Sequence, residues 1–369
     1  MTGRFNVFLS GLIALLLLSC SRAADANPML YVSHFSSDDI TVIDAKTYEA
    51  IETFSVAESF RSSAISGDVS ETRARVANID DIVGSPDGNI LYVNRVIESG
   101  HKLGWPVSGE IVAIDTKTKK ALWSLEIDEG WPHHISLSSD GRYLYAPLFD
   151  KPYVIVIDTR NGTLERMIDL FWGGHGSRLS KDDESLYIGS IFTSSLYVVG
   201  AETGTIQKII PFEDGVRPFA FDSAQKTLYA QLSRLHGFAV ADLEAGKVKK
   251  TVELPGLPQD FEGPEFFPHN VNHGLELSPN EEFLVAAGTA VNKAFLYSHP
   301  ELELLGEVNI GSDANWVTFS PDSSVVFISN RGDNTVSVIT LDTFEEIVRL
   351  PSGGERPGRM RIVGDYSAQ

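Results

Sequence analysis

Apolar and polar positions alternate with a period of two along nearly the whole chain, in short runs broken by turn residues, and helical spacing is almost absent. The stretch His134-Ile-Ser-Leu137, Tyr143-Leu-Tyr-Ala146, Tyr153-Val-Ile-Val-Ile157 and Leu164-Glu-Arg-Met-Ile168 shows the pattern: four successive strands, a to d. A Ser-Pro-Asp-like turn between the first two strands of such a unit recurs. It falls at Ser85-Pro-Asp-Gly88, Ser138-Ser-Asp-Gly141, Ser180-Lys-Asp-Asp183, Asp222-Ser-Ala-Gln225, Ser278-Pro-Asn-Glu281 and Ser320-Pro-Asp-Ser323, at intervals of 53, 42, 42, 56 and 42 residues. Four strands repeating every roughly 40–45 residues are the sequence signature of propeller blades.

Six units carry all four strands. The N-terminal piece has only three, Met29-Leu-Tyr-Val32, Ile40-Thr-Val-Ile43 and Ala50-Ile-Glu-Thr-Phe54, while Arg359-Met-Arg-Ile-Val363 is one strand to spare at the other end. The pattern therefore predicts an all-β fold: a seven-bladed β-propeller of four-stranded antiparallel blades, its ring closed by the C-terminal strand completing the N-terminal blade. Closure of this kind ties down both termini. The expected organisation is a signal peptide over 1–26, the propeller over 27–363 and a C-terminal tail over 364–369.

The leader reading rests on Arg4, the apolar run Leu12 to Leu18 and the small-x-small site Ala24-Asp-Ala26. It predicts a secreted or periplasmic protein. Leu17-Leu-Ser-Cys20 also reads as a lipobox, but simple secretion is the preferred processing. Cys20 is the only cysteine, so cleavage after Ala26 leaves none for disulfides, thiolate chemistry or cysteine-ligated metal. The net charge of −20 disfavours nucleic acid and anionic lipid as partners. No membrane span is expected, and the chain reads as a monomer acting on a small molecule. Asn161-Gly-Thr163 is a glycosylation sequon in a eukaryotic host, and Asn161-Gly162 also reads as a type I′ hairpin turn.

With Asn334-Thr-Val-Ser-Val-Ile339, Leu91-Tyr-Val-Asn94 and the Ser-Pro-Asp turns in view, residues 29–363 resemble the YVTN-repeat propellers. That superfamily includes lactonase-like propellers and the haem-d1 domain of cytochrome-type nitrite reductases. Exported propellers of fungal natural-product routes, hetero-Diels–Alderases among them, are similar in architecture, with no motif matched residue by residue. The resemblance implies the fold; propellers host unrelated activities.

Insertions locate the working side. Arg95 to Gly109 joins strands b and c of blade 2, Pro255 to Asn272 joins blades 5 and 6, and Ala57 to Asn78 joins blades 1 and 2; all belong to one face. Eight of nine histidines map there (His34, His101, His133, His134, His175, His236, His269 and His273), with His299 opposite. So do Trp105, Trp131, Trp172 and Trp316, with Trp123 in a d strand. The expected site lies where a strands begin. His134, His175, His273 and Arg217 are its candidate catalytic groups, since imidazole exchanges protons near neutral pH and guanidinium steadies an oxyanion. Trp131, Trp172, Trp316, Asn315, Phe267, His269 and Arg356 are candidates for substrate binding, the aromatics by stacking. The bland reading of each is inter-blade packing or a satisfied structural hydrogen bond.

Imidazole suits zinc, copper or iron. However, no helical His pair or cysteine assists, Asp80 and Asp81 are the only carboxylates at the strand starts, and the expectation is no metal and no cofactor. Phosphate cradle, nucleophile elbow and HExxH are all missing. The leading expectation is a non-redox His/Arg-assisted elimination or cyclisation of a partly aromatic small molecule, of hetero-Diels–Alder type or another. The alternatives are a non-catalytic binding or scaffold propeller and a lactonase-type hydrolase.

Overall fold

The computed structural model describes residues 28–61, 77–97, 108–128, 130–261 and 270–363. Among them, twenty-eight strands form seven four-stranded antiparallel sheets arranged as a ring. In blade 1 the order is Pro357–Val363, Met29–His34, Asp39–Asp44, Ala50–Ser55, with Met29 opposite Val363 and Val32 opposite Met360. The ring is thus closed by the C-terminal strand, as the pattern required. No helix among the described residues is long and apolar enough to cross a membrane.

Alternation explains why the blades pack. In each blade b and c are buried on both faces, as in Ser195–Gly200, while d is mostly exposed or half-buried, alternately so in Glu345–Pro351. The buried apolar residues divide into seven clusters, each shared by two neighbouring blades. One joins Tyr92, Ile111 and Ala113 of blade 2 to Ile135, Leu144 and Ile155 of blade 3; another joins Val325, Phe327 and Val336 of blade 7 to Leu30, Val32 and Met360 of blade 1. Non-directional burial of this kind supplies the main stabilisation.

The turns repeat with their blades. The a-to-b turns close by an i+3 amide, as in Gly88 N to Ser85 O and Ser323 N to Ser320 O, with the last residue left-handed. The c-to-d loops close by an i+4 amide, as in Tyr48 N to Asp44 O and Gly162 N to Asp158 O, again with a left-handed fifth residue, and a register shift follows. This corrects the type I′ reading of Asn161-Gly162: Gly162 alone has positive φ, and the loop is longer. A Cβ there would meet the Trp123 ring at 2.4 Å, so glycine answers both the conformation and the contact. Asn161 itself is exposed, its Oδ1 accepting from Thr163 Oγ1 at 2.8 Å.

Two departures concern the insertions. Strand b of blade 2 runs Ile90–Ile97, so Arg95 belongs to the strand and is fully buried. The link from blade 1 to blade 2 opens with a short helix, Val56–Arg61, where the pattern gave only a loop. Asp38 receives its first amides: Val56 N donates to Asp38 O and Ala57 N to Asp38 Oδ2.

Candidate functional site

The a strands are irregular where they begin. Register shifts fall between Ile79 and Asp81, between Val216 and Phe219, and between Ala314 and Trp316. Such bulges re-aim side chains at a sheet's end. In blade 3 the a strand is reduced to Ser136–Leu137, leaving Trp131 to Ile135 irregular apart from a single bridge, Pro132 to Leu148. In blade 4 the entry is Trp172-Gly-Gly-His175. A Cβ on Gly173 would stand 1.9 Å from Phe149 O, so only glycine lets this segment press against blade 3. The approach brings His175 to the histidines of blade 3.

Four imidazoles meet as a result. Ring centroids are 4.2 Å apart for His133 and His134, 4.6 Å for His133 and His175, and 4.9 Å for His134 and His175. His273, from blade 6, stands 5.8 Å from both His134 and His175. All four are buried. His273 Nδ1 lies 3.1 Å from Asn315 O, which fixes Nδ1 as the donor and leaves the lone pair on Nε2. Behind the blade 3 pair stand two buried carboxylates: Asp80 Oδ2 is 3.4 Å from His133 Nε2, and Asp81 Oδ2 is 3.7 Å from His134 Nδ1. Asp81 is also fixed by the amides of Ile82 and Ile135, each at 2.7 Å, and by an ion pair with Arg359 Nε at 2.9 Å that is too bent for a hydrogen bond.

Burial sets the charge state of this wall. It pushes His133 down to about 3, with the Arg217, Arg331 and Arg359 charges adding to the effect. His134, His175 and His273 are likewise held well below the ordinary imidazole value, by burial first and by neighbouring positive groups second. Asp80 is pushed up to about 7, by burial and then by the charge of Asp81. Arg217 falls to about 10 through burial and donates from Nε to Ser233 Oγ at 3.0 Å. At neutral pH the wall therefore presents uncharged imidazoles beside guanidinium groups.

The expected aromatic cup is assembled only in part. Trp316 packs on His134 and His273 at 5.0 and 5.6 Å and lies under Arg359 at 3.8 Å. Trp131 packs on His133 and Phe149. Trp172 is 53% exposed against Phe192, and Arg356 is exposed with positive φ; neither contacts the imidazoles. Asn315 is buried and contributes its carbonyl. Phe267, His269, His101 and Trp105 lie outside the described residues. His34 and His236 are structural: each has both ring nitrogens at oxygen acceptors of the fold.

Sequence reasoning passed over Arg359 and Arg331. Arg359 is the inward residue of a strand that alternates Arg359, Met360, Arg361, Ile362, and charge on alternate positions of an innermost strand was the available signal. A second surprise is the position of free space. A funnel of about 920 Å³ opens on the opposite face, among the a-to-b turns, walled by Ser136, Ser177, Arg361 and the Arg178–Glu276 ion pair. Between it and the imidazoles lies a gap of about 10 Å³, lined by His134, Ser177, Arg178, Phe219, Trp316 and Arg359. That is roughly the room one water requires.

No protein-family model matches the sequence, and comparison with curated proteins gives no match. Among solved structures, the fold is similar to that of the periplasmic gluconolactonase of Pseudomonas aeruginosa, with a TM-score of 0.69 and 18% identity over 91% of this chain and 99% of that one. At that identity the likeness establishes the seven-bladed architecture.

Proposed function

We propose that this chain is a hydrolase that opens a small polar lactone at the imidazole-lined mouth of the channel. The observation that carries the reading is His273: a neutral, buried imidazole, oriented by a backbone carbonyl, facing the imidazoles of His134 and His175 rather than solvent. That is the arrangement of a general base. Water adds to the lactone carbonyl while Nε2 of His273 takes its proton. Arg217 faces the oxyanion of the tetrahedral intermediate. The ring C–O bond then breaks, and the imidazolium returns its proton to the departing alkoxide, leaving a hydroxy acid. The gluconolactonase likeness supports a lactone as the substrate class at the level of architecture. Elimination or cyclisation of a flat aromatic molecule is less well served: Trp172 faces outward, and Trp316 is occupied by Arg359.

The test is hydrolysis of a panel of aldonolactones and simple δ-lactones by the purified protein, followed as acid release above the spontaneous rate. H273N is expected to lower kcat about 100-fold, the ordinary worth of a positioned base, with the fold retained by circular dichroism. No acceleration across the panel overturns the reading.

A further inference from the structure

We propose that His133, His134 and His175 bind one divalent transition-metal ion of the zinc class. One ring nitrogen from each lies within 4.8 Å of the others. Tetrahedral bonds of about 2.1 Å place ligand nitrogens roughly 3.4 Å apart, so small side-chain rotations close the site. The use of the ion in turnover rests on the hydrolytic reading above; its binding does not.

The hydrogen bonding separates these histidines from the other buried ones. His34 and His236 have both ring nitrogens at acceptors within the fold. By contrast, His133 Nδ1, both nitrogens of His134 and His175 Nδ1 are buried without a hydrogen-bond partner. A purely structural cluster satisfies its ring nitrogens. Three unsatisfied imidazoles converging on one point are instead what a cation requires. The carboxylates complete the pattern. Asp80 stands at His133 Nε2 and Asp81 at His134 Nδ1, each on the opposite side of the ring from a nitrogen that is left unbonded. At 3.4 and 3.7 Å neither carboxylate hydrogen-bonds its ring, and each acts on it as a nearby negative charge, which favours a bound cation. They also offset the nearby Arg217, Arg331 and Arg359, of which Arg359 is paired with Asp81. A set of imidazoles selects zinc, copper, nickel or cobalt over calcium and magnesium, which take oxygen ligands. Three protein ligands leave a fourth position for water, and the proton-accepting Nε2 of His273 belongs to the neighbouring ring.

The probe is Co²⁺ added to the whole mature protein after dialysis against a chelator. A visible d–d band saturating at one equivalent and bleached by Zn²⁺ is expected. H134Q and H175Q should each weaken binding at least 100-fold, D80N by about 10–100-fold through loss of that nearby charge, and H299A, on the other face, not at all. Absence of a saturable band in the wild-type protein overturns the proposal without recourse to any variant, as does unchanged binding in both H134Q and H175Q. Parallel lactone assays keep the two readings apart. Binding without turnover upholds the site and removes the hydrolytic reading. Turnover by a protein that binds no ion does the reverse.

Discussion

Arg95 illustrates how far a single side chain can be committed in this fold. It lies between blades 1 and 2, out of contact with solvent. Its Nε and one terminal nitrogen donate to the two oxygens of Asp38 at 2.9 Å each, and the other donates to Glu110 at 2.7 Å. Its guanidinium also sits 5.6 Å from the Phe60 ring of the short helix that Asp38 caps. The planar fork is thus the common partner of two buried carboxylates and one helix. R95A strands both acids in the interior, and breaking a buried pair in this way costs about 3–5 kcal/mol. R95K is expected to recover less than half of that, because an ammonium cannot serve both oxygens of Asp38 and reach Glu110 in one geometry. Urea denaturation of the three proteins checks both statements; a loss below 1 kcal/mol in R95A defeats the assignment. Composition gave no hint of this role, since an arginine at the edge of an insertion reads as solvent-facing.

At the scale of elements, the strand Pro357–Val363 decides whether the ring is closed. Its Met360 is fully buried in the cluster shared by blades 7 and 1, whereas Met167, in the outer strand of blade 3, is 46% exposed. M360A is expected to cost about 2–5 kcal/mol and M167A less than about 0.5 kcal/mol. Equal midpoints for the two in thermal or urea unfolding would remove the closing role of this strand. The strand was legible beforehand because Met360 and Ile362 alternate with arginines and no other partner remained for it. The same alternation explains where legibility ended. It told which face of a strand is apolar, and so gave blades, closure and the strand starts bearing His134, His175 and His273. It carried no information on distance round the ring, so Trp172 and Arg356 shared the expected mouth although the fold leaves them outside it. The unbonded state of the blade 3 and blade 4 imidazoles is a property of packing, not of spacing.

Over the whole molecule, a charge of −20 and a ring of acidic turns make stability depend on pH in two opposed ways. Turn carboxylates are held below their usual range by hydrogen bonds. Asp140 accepts from Ser138 Oγ at 2.7 Å and Arg142 N at 2.9 Å, and Asp87, Asp182 and Asp322 sit in the equivalent turns of other blades. Such groups bind fewer protons folded than unfolded; their contribution is present above about pH 4 and is lost as pH falls through the folded value. Asp38 is the reverse case. Burial pushes it up to about 6 against the pull of Arg95. A raised carboxyl favours the fold fully below about pH 4, and that advantage disappears as pH rises through 6. Self-repulsion among the excess acids also grows with pH. The buried His133, His134, His175 and His273 act with the turn carboxylates: held below the ordinary imidazole value, they bind fewer protons folded than unfolded, so their contribution is present above about pH 6.5 and is lost as pH falls. Together these terms place maximal stability between about pH 6 and 7, with losses on both sides. Unfolding midpoints measured from pH 2.5 to 8 at constant ionic strength should trace that dome. D140N should lower the midpoint at pH 6 and have a smaller effect at pH 2.5, where the aspartate it replaces is already mostly protonated in the unfolded chain. A midpoint that climbs steadily to pH 8 would mean that burial of Asp38 and net charge do not govern the neutral side of the curve.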